Sequence, residues 1–178
     1  MASYEALRDP VTDELLDWIE ASLGRIAGSV AGLSEAQVRA TAAPSGWSIA
    51  GLVGHVHAST RFWLHNVIGG NAVELDERGV WDNDPIVPFP ALLERVTRET
   101  SDACAAVRGR SSEDAPGWWP EGAWGGYRQH TVRGVLMHVL NDDAAHVGHL
   151  DIVRELLDGT VWDDAGNRIR TTADGNGS

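Results

Sequence analysis

One uninterrupted helical pattern, Thr131 to Gly159 (TVRGVLMHVLNDDAAHVGHLDIVRELLDG), sets the limits on what this chain can fold into. Val132, Val135, Val139, His146, Leu150, Val153 and Leu157 recur at three- and four-residue spacing, and Gly159 supplies a C-terminal stop. At 100° per residue, His138, Asp142, His146 and His149 fall within about 80° of one another, on the side that also carries Val135 and Val153. The helix is therefore expected to turn four metal-ligating side chains toward the core. Buried imidazoles and carboxylates need hydrogen bonds, a counter-charge or a metal ion. Asp142 and His146 are one turn apart, a spacing that lets two side chains converge on one ion. His138 and His146 are separated by about 12 Å along the axis, too far to share one. A hydrogen-bonded core network, or a polar helix surface, is the other reading of the same stripe.

The rest of the chain supplies partners for that helix. Thr12 to Ala31 carries Leu15, Ile19, Leu23, Ile26 and Val30 on one stripe. Ser34 with Gln37 forms a capping-box pattern ahead of a short turn of helix, and Pro44-Ser45-Gly46 breaks it. Ser48 is placed to cap a second long helix, Ile49 to about Ile68, with Leu52, Val53, Val56, Thr60, Trp63 and Val67 inward and Gly69-Gly70 as its stop. His55 lies on that apolar face, whereas His57 and His65 lie off its centre and read as solvated or structural. A polar stretch, 71–90, connects to a third long helix from Ala91 to Val107, with Leu92, Leu93, Val96, Thr100, Ala103 and Val107 inward. Trp118, Trp119, Trp124 and Tyr127 then cluster among Gly and Pro, where they either wall a ligand pocket or plug the bundle end or a dimer seam. Beyond Gly159, VWDDAGNRIR reads as a small hairpin, and the residues from Thr171 as a disordered tail.

Four long helices give an all-α fold: a single four-helix bundle domain over 1–170, with a long connecting loop after the second long helix, a short C-terminal extension and a tail over 171–178. The net charge of −12 and pI near 4.8 leave no basic patch for nucleic acid. Cys104 is alone, which excludes an internal disulfide framework, fits a reducing cytoplasm and reads as a small core residue. Neither a signal-peptide pattern nor a bilayer-length apolar run is present, so a soluble cytoplasmic protein with no membrane partner is expected. Phosphate-binding glycine loops, CxxC pairs and Ser-His-Asp motifs are missing from the sequence.

The string GWSIAGLVGHVHASTRFW from Gly46, with the late LMHVLNDDAAHVGHLDIVRELLDG, resembles the DinB/YfiT superfamily, particularly its actinobacterial branch. The resemblance runs from about Leu15 to Thr160. It implies a four-helix bundle, often a homodimer, holding a divalent metal, commonly zinc or nickel, through three residues. One is a His on the second helix, matching His55; the other two stand four residues apart on the last helix, where His146 matches the second and Asp142 falls on the first. Relatives carry His or, in the mycothiol-dependent maleylpyruvate isomerases, Glu at that first place, so Asp142 is a departure with a shorter reach. His149 is the alternative, as ligand or as a group behind the ligands.

Two imidazoles and one carboxylate leave a coordination position open, as in catalytic zinc sites. Such an ion lowers the pKa of bound water or thiol. By analogy with relatives that use mycothiol or bacillithiol, the expected function is a metal-dependent low-molecular-weight-thiol S-transferase acting in detoxification on a small-molecule substrate. His149 or Asp143 would orient the ligand or act as base, and Trp119, Trp124 and Tyr127 would line its binding wall. A metal-dependent hydrolase and a non-catalytic metal- or ligand-binding protein are the alternatives. Arg154 is expected in a surface ion pair with Asp151 or Glu155, and Trp47 in packing.

Overall fold

The computed structural model describes residues 8–41, 44, 46–75, 86–163, 166 and 168–171. The long helices start where their caps place them. Asp9 accepts from the amides of Val11 (2.9 Å) and Thr12 (3.2 Å), and Pro10 opens α1, Pro10–Ser29. The capping box of Ser34 and Gln37 forms in full at α2, Glu35–Arg39. Ser48 Oγ accepts from Gly51 N at 2.9 Å to begin α3, Ile49–Arg61. At α4, Phe89–Val107, no residue of the helix's own end caps it; Glu35 reaches across from α2 and accepts from Phe89 N at 3.0 Å. Thr131 caps α5, Val132–Asp158, and Gly159 ends it at φ 70°, a conformation that favours glycine.

The second long helix departs from the even α-pattern. After Arg61 it widens into a π-helical segment, Phe62–Ile68, in which Gly69 N bonds back to Leu64 O at 3.0 Å. The extra residue in the turn rotates the rest of the segment about its axis, and Trp63, Leu64, Val67 and Ile68 are all buried.

Cross-helix contacts fix the topology as up-down-down-up. Arg25 pairs with Asp151 and the Ser29 carbonyl meets Arg154, so α1 and α5 run in the same direction. Ser59 meets Asp142, so α3 opposes them, and His57 meets Glu99 while Ile68 O accepts from Gly117 N beyond α4, so α4 runs with α3. Two parallel neighbours require the chain to travel back along the bundle, which is why a long segment separates them. Residues 76–85 of that connection lie outside the described residues.

Leu16, Ile19 and Ile26 of α1 pack with Val53 and Val56, Leu92 and Val96, and Val135, Leu136, Val139 and Leu150 in one core. Arg154 is not a surface residue. Buried at the α1–α5 seam, it donates to the carbonyls of Ser29 (2.7 Å) and Ala31 (3.0 Å) at the end of α1 and pairs with Asp158 rather than Asp151 or Glu155. Its cationic head thus sits where a helix exposes unpaired carbonyls. The hairpin forms as β1, Thr160–Asp163, against β2, Arg168–Thr171, in antiparallel register from Thr160–Thr171 to Asp163–Arg168. Of its turn, Ala165 and Asn167 lie outside the described residues, as does the tail after Thr171, which itself is in β2. Trp162 closes on Gly28, where any side chain would collide with the indole. No helix among the described residues is long and apolar enough to cross a membrane.

Candidate functional site

Helix α3 runs antiparallel to α5, and at the middle of the seam α3 brings one candidate ligand and α5 two. His55, Asp142 and His146 each offer a donor atom, and these atoms all lie within 4.8 Å of one another. Around a tetrahedral zinc ion, with bonds of about 2.0–2.2 Å, donors sit about 3.4 Å apart. The three side chains therefore need only small rotations to close on an ion. His146 Nδ1 is buried with no hydrogen-bond partner, a lone pair that a cation would satisfy. Its Nε2 lies 3.5 Å from Asp142 Oδ1. The His146 hydrogen bond holds the Asp142 carboxyl below the ordinary range, so it is present as carboxylate. Ser59 Oγ donates to the other Asp142 oxygen at 3.3 Å and orients it from α3. The donor set of this chain fits a divalent cation of the zinc class.

Trp47, just ahead of the α3 cap, covers the two imidazoles. Its indole stacks on His146 (centroids 6.0 Å, 26° between planes) and presents edge-on to His55 at 5.2 Å. Sequence reasoning gave this residue a packing role only; the signal available was its position eight residues before His55. His149 is exposed at the rim, its ring 5.8 Å from that of His146.

The stripe on α5 is turned relative to the one the sequence suggested. Val132, Val135, Leu136, Val139, Asp143, Val147, Leu150 and Arg154 are buried, and His138, Asp142 and His146 form its half-buried flank. Asp143 therefore does not share the site with Asp142. It is 1% exposed, accepts from Thr60 Oγ1 at 3.5 Å, has no partner for Oδ2, and burial pushes its carboxyl up to about 8. A base for bound substrate cannot act from inside the core, so the role expected of Asp143 is corrected on the ground of burial.

His57 takes the structural of the two roles expected of it. It is 7% exposed, faces α4, and its Nε2 lies 3.0 Å from Glu99 Oε2, while burial lowers its pKa. His65 is exposed, as its position suggested.

Beyond one end of the ligand group the aromatics gather. Trp63, from the π-helical segment, contacts Trp119 (5.5 Å), Trp124 (5.3 Å) and His138 (4.5 Å) between ring centroids. Trp119 is buried, with Arg128 over its ring, whereas Trp124 and Tyr127 are exposed. Trp124 takes a left-handed conformation (φ 49°) inside a 3₁₀ turn, Ala123–Gly126, a strained placement for a residue with a side chain. Tyr127 OH meets His138 Nδ1 at 3.1 Å and accepts from Gln129 Nε2 at 2.6 Å, a pairing that no sequence spacing announced.

Cys104 is buried in the core, where desolvation pushes its thiol up to about 12. It is the chain's one cysteine, so the protein holds no thiolate of its own for catalysis.

A family model described as mycothiol-S-transferase (MST) matches residues 14–159, from early α1 to the glycine that ends α5. No curated protein matches the chain.

Proposed function

Since the chain belongs to the mycothiol-S-transferase family, a DinB-like family, we propose that it is a metal-dependent transferase moving the sulfur of mycothiol or a similar small thiol onto an electrophile. The observation that carries this reading is the convergence of His55, Asp142 and His146. These residues would hold a divalent ion, zinc or nickel by their chemistry, with a coordination position left for a ligand. When bound, such an ion supplies the charge that lowers a thiol's pKa, so that thiolate is available at neutral pH.

The chain's own residues supply the rest. Ser59 fixes the Asp142 carboxylate through its hydroxyl. Trp47 keeps water off the imidazoles from the α3 side. His149, at the exposed rim beside His146, orients the incoming thiol or takes up its proton. Trp119, Trp124 and Tyr127 form the wall against which the thiol or its acceptor lies. The buried Cys104 leaves the nucleophilic sulfur to be brought in from outside.

The test is turnover by zinc-loaded protein with mycothiol and a panel of electrophiles, run beside ester and amide substrates in thiol-free buffer. Thiol-dependent product formation is expected. Hydrolysis without thiol would replace this reading with the hydrolase, and no turnover on either arm would leave a binding protein.

A further inference from the structure

A short hydrogen-bonded chain ties His138 to the loop before α5. Gln129 Nε2 donates to the Tyr127 oxygen at 2.6 Å, and the same hydroxyl lies 3.1 Å from His138 Nδ1, within reach to donate its hydrogen there. With Nδ1 accepting, a neutral His138 carries its proton on Nε2. Burial holds the imidazole neutral by lowering its pKa. The pair lies half open to solvent, Tyr127 on the loop and His138 on α5 one turn before Asp142. Residues so spaced have Cβ atoms about 6 Å apart. A candidate proton donor thus stands one turn from the ligand group, backed by a tyrosine hydroxyl, and the wall role of Tyr127 uses its ring and leaves that hydroxyl unassigned.

Resting on the thiol-transfer reading, we propose that Tyr127 and His138 make the acceptor end of the site and select electrophiles whose reactive carbon is conjugated to an oxygen, the α,β-unsaturated carbonyls. In the step this implies, the thiolate sulfur forms a bond to the β-carbon, the carbon–carbon π pair shifts, and the carbonyl π pair passes to oxygen. That oxygen takes the proton from His138 Nε2, and the enol so formed tautomerises to the saturated carbonyl. Tyr127 passes its hydroxyl proton to His138 Nδ1, and the proton released when the thiol ionised returns through water to Tyr127. The carbonyl oxygen lies three bonds from the carbon attacked, a span of the same order as one helical turn. An alkyl halide expels an anion that needs no such donor.

The experiment compares mycothiol transfer to cyclohexenone and to benzyl chloride by zinc-loaded wild type, His138→Gln and Tyr127→Phe, and reads the ratio of the two kcat values. Loss of a general acid is worth at least about 100-fold. The ratio is expected to fall by about that factor in His138→Gln, and in the same direction but less in Tyr127→Phe. If wild type transfers to both electrophiles and the ratio stays constant across variants, the pair is structural and this inference alone is overturned. If wild type transfers to neither, the transfer reading fails and takes the inference with it. Independently of metal and turnover, ¹⁵N-histidine NMR of the metal-free protein is expected to give the Nε2–H tautomer for His138, with the Nδ1 signal shifting in Tyr127→Phe. An Nδ1–H tautomer in the wild type would overturn the proposal.

Discussion

Helix α3 carries two histidines two residues apart, and α5 carries two adjacent aspartates; in each case one member serves the candidate metal group and the other serves the core. His55 and His57 are almost equally buried, at 5% and 7%. Their separation of about 200° around the helix turns His55 toward Asp142 and His146, and His57 toward Glu99 on α4. Asp142 takes hydrogen bonds from Ser59 and His146 and is held as carboxylate, while Asp143 has only Thr60 and is driven toward its neutral form. Burial alone therefore does not distinguish a ligand. What distinguishes it is whether the lone pairs on one face converge on a common point or are consumed by a single partner.

The largest expected effect that sharpens this contrast is on the Asp143 side. Its carboxyl titrates near 3.8 when solvated and at about 8 in the fold. The folded chain then keeps a proton that the unfolded chain releases, so the contribution of this one group to stability is fully present below about pH 4 and is lost as pH rises through about 8. Asp143→Asn is expected to flatten that decline, by an amount on the order of several kcal/mol at most. Urea midpoints at pH 5 and pH 8 measure it, and an unchanged slope would mean that the carboxyl is not neutral in the core. Asp142 acts with the opposite sign, its contribution being present above the unfolded value and lost as pH falls through the depressed one.

A smaller effect is expected at His57. His57→Ala should cost about 1–3 kcal/mol by removing the buried imidazole that pairs with Glu99 Oε2 and opening the α3–α4 packing, with metal content untouched. Loss of metal in that variant would break the division between the two faces of α3. The smallest is at Ser59. Ser59→Ala should weaken metal affinity about tenfold by freeing the Asp142 carboxylate, and thermal stability should barely move. A metal titration followed by thermal melts separates the two, and a stability loss with unchanged affinity would make Ser59 a packing residue.

The bundle was legible in the sequence because apolar periodicity, capping residues and the stop at Gly159 all report local geometry. The pairing of Asp142 with His146 was legible for the same reason, since one turn of helix carries it. Rotation of the α5 stripe was not, because His146 and Asp143 occupy neighbouring angles and only packing against α3 decides which goes inside. The π-helical widening at Phe62 depends on tertiary contacts of Trp63 that no single-helix pattern contains. Arg154 looked like half of a surface ion pair because its true partners are backbone carbonyls on α1, invisible to charge patterning. Tyr127 and His138 meet through a loop whose strained turn at Trp124 has no periodicity to read.

The most direct test of the division between the two faces is the metal content of His55→Ala and His57→Ala, purified side by side without a metal-binding tag and incubated with zinc. One equivalent in wild type and in His57→Ala, and none in His55→Ala, is the expected result. Equal metal in both variants, or none in wild type, would contradict it and return His55, Asp142 and His146 to a polar seam between two helices.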